Sequence, residues 1–147
     1  MYQERKLYVL YSNFIAFDQY GRNNPLSIGL SVAYPQDVIK NSGYRNFLYH
    51  CYGHLRTMMT DIFLLMNSTS LKDNNGKFYW TMYDNAIYYP GMEMSCEKVV
   101  YVPELKYWYT SNTGLNDWRT PKREEYKGVA AHIRSQKSYE CINKVFR

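Results

Sequence analysis

Two N-terminal segments have the residue pattern of β-strands. Residues 6–17 are mostly β-branched and aromatic and put apolar side chains on both faces, which predicts a strand inside a sheet. Turn-forming residues at 18–25 end this segment. Over 26–34, Leu26, Ile28 and Leu30 alternate with small residues, which predicts a second strand. Because the intervening turn contains Gly, Asn and Pro, the two strands should form a hairpin.

The longest periodic segment covers residues 44–66. Its apolar residues recur every three or four positions, and polar residues fall on the opposite side. The apolar set consists of Tyr44, Leu48, Cys51, Leu55, Met58, Met59, Ile62 and Met66. This spacing predicts one long central helix with a wide buried face. Leu55 lies in the middle of that face, so we expect its side chain to be buried.

Turn signals divide the next part of the chain into short runs. Asp-Asn-Asn-Gly at 73–76, Asp-Asn at 84–85 and Pro-Gly at 90–91 separate aromatic and apolar runs, which predicts an antiparallel meander. Residues 129–146 carry apolar positions at approximate helical spacing, which predicts a C-terminal helix. We therefore expect a single α+β domain over residues 1–147, with an antiparallel sheet of about five or six strands packed on the central helix.

The composition adds an unusual aromatic content to this picture. Tyrosine occurs 17 times and aromatic residues make up 18% of the chain, while the hydrophobic content of 46% is ordinary for a folded domain. No apolar run has membrane-spanning length, and the N-terminus lacks the small-residue cleavage site of a secretory signal. The widely separated Cys51, Cys96 and Cys141 predict reduced thiols. We expect a protein of the cytoplasm, in a bacterial or other host cell, that binds neither a membrane nor a cofactor.

The positive charge is concentrated at one end of the chain. Residues 1–118 contain ten Lys and Arg and ten Asp and Glu, so all of the net charge of +5 lies in residues 119–147. The basic residues there are Arg119, Lys122, Arg123, Lys127, Arg134, Lys137, Lys144 and Arg147. This asymmetry favours a partner with an acidic or phosphate-rich surface.

Residues with the spacing of a known catalytic or metal site are few. The chain has no nucleophile elbow, phosphate-binding loop, dinucleotide fingerprint or zinc-protease motif, which favours a non-enzymatic role. His50 and His54 are four residues apart and would share one flank of the predicted helix with Asp61. No recognised zinc motif completes this set, so we expect no metal site.

One short motif resembles part of a known enzyme family. Ser68-Thr69-Ser70 resembles the middle element of the arginine, Ser-Thr-Ser, glutamate pattern of ADP-ribosyltransferases, and Arg5 and Arg45 precede it. The acidic pair of that pattern has one residue between its members, whereas Glu93 and Glu97 are four apart. The motif therefore predicts a polar turn.

The segment 105–123 predicts a contact surface. Tyr107, Trp108 and Tyr109 alternate along a strand, so both of its faces are aromatic, and either Trp108 or its two neighbours face the core. A polar loop then brings Trp118 next to basic residues. Tyr, Trp and Arg among small polar residues are typical of contact surfaces. The predicted partner-binding residues are Trp118, Arg119, Lys122, Arg123, Tyr107 and Tyr109.

These patterns together predict a small binding protein. We expect it to recognise a macromolecular partner, either an acidic protein or a protein that handles nucleic acid, through an aromatic and basic surface. Such a compact chain without enzyme motifs is typical of a phage or mobile-element accessory protein, for example an inhibitor of a host defence protein. The alternatives are direct binding of nucleic acid, and binding or sequestration of a nucleotide. A homo-oligomer is compatible with the sequence.

Overall fold

The computed structural model describes residues 7–17, 20, 23–29, 31–47, 49, 51–110 and 123–142, and at 23–29, 105, 106, 123 and 124 it describes the backbone alone. Within these residues the chain is an α+β fold with four strands and four α-helices. The strands are β1 (Val9–Phe17), β2 (Asn23–Gly29), β3 (Arg56–Met58) and β4 (Val99–Thr110). The helices are α1 (Gln36–Lys40), α2 (Thr60–Leu64), α3 (Tyr83–Ser95) and α4 (Arg123–Ser135).

β1 is the central strand of the sheet. β2 pairs antiparallel with its C-terminal half and β3 pairs antiparallel with its N-terminal half, so both lie along the same edge. β4 pairs with β1 in parallel from Val9 to Phe17 along the other edge. The hairpin predicted for the first two strands is confirmed by the pairing of Ile15 with Ile28. The prediction of an entirely antiparallel sheet is wrong, because β4 is parallel to β1. The predicted five or six strands are not confirmed, because the described residues form four.

The predicted long helix at 44–66 is wrong. The described part of this segment forms turns and extended chain, then β3 and the five-residue helix α2. Its apolar residues do not share one face, because Tyr44 and Cys51 belong to the main core cluster and Ile62 belongs to a second one. Residues of two separate core clusters, with Met58 packed against both, therefore produced the apparent helical period.

The exposure of the Leu55 side chain distinguishes the observed structure from the predicted helix. Its side chain is 41% exposed, whereas Ile62 is fully buried. Leu55→Ala should therefore lower the free energy of unfolding by less than about 1 kcal/mol, and Ile62→Ala by about 2 to 5 kcal/mol, because only the second change leaves a cavity. Urea unfolding of both variants measures the difference, and a loss above 2 kcal/mol for Leu55→Ala would restore it to the core.

The buried central helix of the fold is α3, whereas the sequence predicted it at residues 44–66. Its residues from Tyr89 to Ser95 are all buried, although Pro90 and Gly91 lower the intrinsic helix propensity and predicted a turn. A side chain at Gly91 would collide with the methyl group of Met58 in β3. Glycine therefore allows the helix to approach the strand closely, and burial outweighs propensity.

A buried ion pair joins α3 to the segment before β3. The Nε and Nη2 atoms of Arg45 lie 2.9 and 3.0 Å from the two carboxylate oxygens of Glu93. These side chains are 1% and 0% exposed. Arg45 Nη1 also donates to the carbonyl oxygen of Ile133 at 2.7 Å, which connects α4 to the same pair. Three parts of the fold therefore meet at one charged contact.

The predicted C-terminal helix is confirmed in part. α4 ends at Ser135, and residues 136–142 continue without helical structure. The prediction of three reduced thiols is wrong, because Cys96 and Cys141 form a disulfide with a Cα–Cα distance of 5.4 Å. Cys51 is buried and unpaired. In the described part of the chain, no helix is both long and apolar enough to cross a membrane.

Candidate contact surface

A histidine–tyrosine cluster lies on one face of β1 and β4 and consists of Phe14, His54, Tyr107 and Tyr109. The pairing of Phe14 with Tyr107 places these two side by side, and Tyr109 follows on the same face. The His54 ring stacks on Tyr109 with 5.1 Å between centroids and 12° between planes, and it lies 5.4 Å from Tyr107. Phe14 meets His54 and Tyr109 edge-on at 5.5 and 5.6 Å. The cluster fixes both tyrosine rings in place.

The backbone before His54 allows this packing. A Cβ atom at Gly53 would lie 2.5 Å from Ser31 Oγ and 2.9 Å from the Phe14 ring, so only glycine fits without displacing them. On β1, the small Ala16 pairs with Tyr109. Small residues at these two positions therefore leave room for the His54 and Tyr109 rings.

Arg56 connects the histidine–tyrosine cluster to the start of α3. One of its nitrogens lies 3.5 Å from His54 Nδ1, and another pairs with Asp84 Oδ2 at 2.8 Å. Its guanidinium group lies 5.4 Å from the Tyr52 ring and 5.2 Å from the Tyr88 ring, within cation–π distance. The positive charge is thus shared between a carboxylate and two ring faces.

The tyrosines around Arg56 keep their protons. Burial raises the pKa of the Tyr52 phenol well above its usual value, and burial likewise raises the pKa of Tyr88. Tyr52 Oη donates to Asn85 Oδ1. Neutral phenols of this kind are hydrogen-bond donors rather than activated nucleophiles, so these tyrosines act in packing and hydrogen bonding.

Trp108 lies on the opposite face of the sheet from the histidine–tyrosine cluster. It pairs with Ile15, its ring lies 5.4 Å from the Phe17 ring, and it is 75% exposed. Tyr107 and Tyr109 are half-buried. The alternative that the sequence left open is therefore resolved: the two tyrosines face inward against His54, and the tryptophan between them faces outward.

The structure brings together only part of the predicted partner-binding set. Tyr107 and Tyr109 share the histidine–tyrosine cluster, while Trp118, Arg119 and Lys122 lie outside the described residues. Arg123 is the first residue of α4, where only the backbone is described. The sequence left the exposure of Trp108 as one of two alternatives and did not place His54 in this region. Nothing local indicated that His54 would lie beside a strand about 50 residues later.

Another predicted basic residue has a structural role. Arg134 Nη1 donates to the carbonyl oxygens of Arg45 and Phe47 at 2.8 and 2.7 Å, and its guanidinium group lies 5.3 Å from the Tyr89 ring. Lys127 and Lys137 of the basic end have exposed side chains. Arg134 therefore stabilises the fold.

A second candidate site is a polar groove between residues 67–74 and 132–140, with a volume of about 610 Å³. Its charged and titratable lining residues are Lys72, Asp73, His132, Lys137, Tyr139 and Glu140. The backbone N–H of Lys77, followed by that of Asn75, lowers the pKa of the Asp73 carboxyl by donating to it. Asp73 is thus engaged by its own turn. Lys72 and Lys137 provide positive charge in the lining of the groove.

The other sequence motifs acquire structural explanations. Ser70 Oγ lies 2.7 Å from Tyr139 Oη, and Arg45 is paired with Glu93, so neither forms part of an ADP-ribosyltransferase-like site. His54 belongs to the histidine–tyrosine cluster, and His50 lies outside the described residues. Among the residues whose positions are described, no group of three or more His, Cys, Asp or Glu side chains is arranged to hold a metal ion.

Comparison with known proteins gives no relative. No protein-family model matches the chain, and neither a curated protein nor a solved structure is significantly similar to it. No relative therefore indicates a function for this chain.

Proposed function

We propose that this protein is a small non-enzymatic binding protein, which recognises a macromolecular partner through the end of β4 and the basic segment that follows it. The observation that carries the proposal is the 75% exposure of Trp108 on a strand whose opposite side is held by the histidine–tyrosine cluster. A large indole left in water costs free energy, and its burial against a partner recovers that cost.

The surroundings of Trp108 support a contact role. The strand beneath it is fixed by pairing with β1, so the ring is presented with little loss of backbone freedom on binding. Tryptophan and arginine are the residue types that most often dominate interface energy. In the sequence, Trp108 is followed within fifteen residues by Trp118, Arg119, Lys122 and Arg123. Aromatic contact and positive charge therefore occur in one short stretch of chain.

The charge distribution indicates the kind of partner. Because the net charge of +5 comes from residues 119–147, an acidic protein surface, such as that of a protein imitating or handling nucleic acid, has the complementary sign. An inhibitor that a phage or mobile element directs against a host defence protein fits this description. The cytoplasmic location remains a prediction.

The polar groove supports a second candidate, binding or sequestration of a nucleotide. Its volume of about 610 Å³ is within the range of small-ligand sites, and Lys72 and Lys137 supply cationic groups for a phosphate. A thermal-shift screen with nucleoside mono-, di- and triphosphates tests this candidate. A saturable rise in Tm that is lost in Lys72→Ala but retained in Lys77→Ala, a nearby exposed lysine, would support it.

Affinity capture with the full chain from its native host tests the main proposal. The eluate is analysed by mass spectrometry and by a nucleic-acid assay, and association with the captured partner is then measured from low to high salt. We expect one protein partner whose association slows with salt, as for electrostatically steered encounters. A nucleic-acid eluate whose affinity falls linearly with log salt would instead establish direct nucleic-acid binding. No specific partner of either kind would contradict the proposal.

A further inference from the structure

The segment after α4 crosses the end of α3 and covers the second core cluster. We call residues 136–142 the C-terminal strap. Its Tyr139 and Ile142 pack against Tyr8, Ile62 and Met94. The main core cluster takes its α4 contacts from Val129 and Ile133 and includes no residue of the strap. The strap therefore covers the second cluster, and Gln136 at its start is hydrogen-bonded to Tyr79 of the main cluster.

A few hydrogen bonds hold the strap. The backbone N–H of Tyr139 donates to Glu93 Oε2 at 3.0 Å, and that of Ile142 donates to the Met94 carbonyl oxygen at 3.0 Å. Tyr139 Oη accepts from the backbone N–H of Asn67 at 2.9 Å and lies 2.7 Å from Ser70 Oγ. Gln136, the first residue of the strap, also donates to Tyr79 Oη at 3.0 Å and accepts from Arg45 Nη1 at 3.4 Å. Each of these bonds has a small net effect on stability, because it replaces a bond to water, so a further tie adds substantially to the hold on the strap.

The further tie is the disulfide between Cys96 and Cys141. Cys141 is exposed and Cys96 is half-buried, so a thiol reductant in solution can reach the bond. Cys96 has φ +55° and ψ −125°, a backbone conformation that residues other than glycine rarely adopt. The disulfide thus joins an accessible strap residue to a strained position at the end of α3, and strain of this kind is frequent at switch regions.

We propose that the Cys96–Cys141 disulfide is a reversible redox lock on the C-terminal strap, and that its reduction uncovers the apolar surface beneath. A cellular dithiol supplies the two electrons. Its thiolate attacks the exposed Cys141 sulfur, the S–S bond breaks, and Cys96 leaves as a thiolate that takes up a proton. The second thiol of the reductant then displaces Cys141 from the mixed disulfide, which leaves two protein thiols and an oxidised reductant.

The surface beneath the strap is apolar. Besides Tyr8, Ile62 and Met94, the second cluster includes the partly buried Met59 and Met66. Methionine side chains are flexible and polarisable, and they are frequent at binding surfaces that adapt to their partners. The strap also contributes Gln136, Lys137, Ser138, Tyr139 and Glu140 to the polar groove, so its release would open that groove at the same time.

The predicted cytoplasmic location makes a reversible bond the expected kind. Cytosolic disulfides are usually transient and redox-sensing, because the glutathione and thioredoxin systems reduce accessible bonds. α4 itself is held independently by the buried Ile133 and by Arg134, which donates to the carbonyl oxygens of Arg45 and Phe47. Release can therefore be confined to the strap.

Hydrogen exchange with mass spectrometry on the full chain tests the lock. The oxidised protein, the same protein after treatment with excess dithiol, and Cys141→Ser are compared, with Cys51→Ala as the control because Cys51 takes no part in the disulfide. Alkylation should count one thiol per unfolded chain before reduction and three after it. We expect amides of residues 136–142 to exchange about tenfold faster or more after reduction and in Cys141→Ser, while β1 amides remain protected.

Two further measurements distinguish a lock from a simple staple. Binding of an apolar fluorescent dye should rise on reduction and return to its original level on reoxidation. Tyr139→Phe, which lacks the hydroxyl group that contacts Asn67 and Ser70, should change strap exchange in the reduced protein and leave it nearly unchanged in the oxidised protein. Global unfolding on reduction, a strap that stays protected when reduced, or three thiols in protein isolated without reductant would each overturn the proposal.

Discussion

Replacing Glu93 with glutamine should lower the free energy of unfolding by about 3 to 5 kcal/mol. The carboxylate is fully buried and accepts two hydrogen bonds from Arg45 and one from the backbone N–H of Tyr139. Glutamine has nearly the same shape but no charge, so the Arg45 guanidinium would remain in the core without its counterion. Thermal unfolding should show Tm lowered by roughly 10 to 20 °C.

A matched control separates burial from charge pairing as such. Arg56 and Asp84 form an ion pair of similar length, 2.8 Å against 2.9 Å for Arg45 and Glu93, but the Asp84 side chain is 34% exposed. Asp84→Asn should therefore cost less than about 1 kcal/mol.

Replacing both Arg45 and Glu93 with methionine should recover much of the loss, because an apolar pair leaves no buried charge. A cost below about 1 kcal/mol for Glu93→Gln would mean that water reaches the pair.

The parts of the fold that local sequence predicted correctly are those where neighbours in sequence are also neighbours in space. β1 and β2 form a hairpin, so their turn residues and alternating pattern carried the information. The presence of α4 followed from the apolar spacing of Val129 and Ile133, which both pack in the main core cluster. Its bounds did not, because Ile142, predicted to continue the same helix, packs in the second cluster beyond the helix end. Periodicity reports secondary structure where the periodic residues contact one and the same layer.

The errors arose where contacts between distant residues decide the structure. Residues 44–66 show a helical period, yet Tyr44 packs in one cluster and Ile62 in another. At α3, Pro90 and Gly91 predicted a turn, but Gly91 is needed for close packing on Met58, and burial of the helix outweighs its low propensity. The parallel pairing of β4 with β1 joins residues about 90 positions apart and leaves no local signal.

The candidate contact surface was predictable to a similar degree. Alternation along β4 showed that Trp108 faces away from Tyr107 and Tyr109, but it carried no information on which side would be covered. The covered side is the one on which the His54 ring stacks on Tyr109. His54 lies there because Gly53 allows the chain before β3 to pass close to Ser31 and Phe14. The partner of Cys96 was hidden for the same reason, since Cys141 is 45 residues away.

Replacing Trp108 with alanine should weaken binding to the captured partner by about 2 kcal/mol or more, which is a factor of about 30 in Kd. An exposed indole on a rigid strand gives a large contact area at low entropic cost, and truncation removes nearly all of it. Because the ring is 75% exposed, the same change should lower stability by less than about 1 kcal/mol. Calorimetric titration of the purified pair measures the first value, and urea unfolding measures the second.

Three further variants decide what a loss of binding means. Phe78→Ala removes another exposed aromatic ring, 67% exposed and outside β4, and should leave Kd unchanged if binding is confined to the end of β4. Trp118→Ala combined with Arg119→Ala should weaken binding as strongly as Trp108→Ala, because the proposal treats the strand end and the basic segment as one surface. Lys122→Glu with Arg123→Glu should mainly slow association and reduce its salt dependence.

The contact surface would lie elsewhere if both Trp108→Ala and the Trp118/Arg119 double variant were folded and bound with unchanged affinity. The exposed aromatic residues Phe78, Trp80 and Tyr83 would then be tested next.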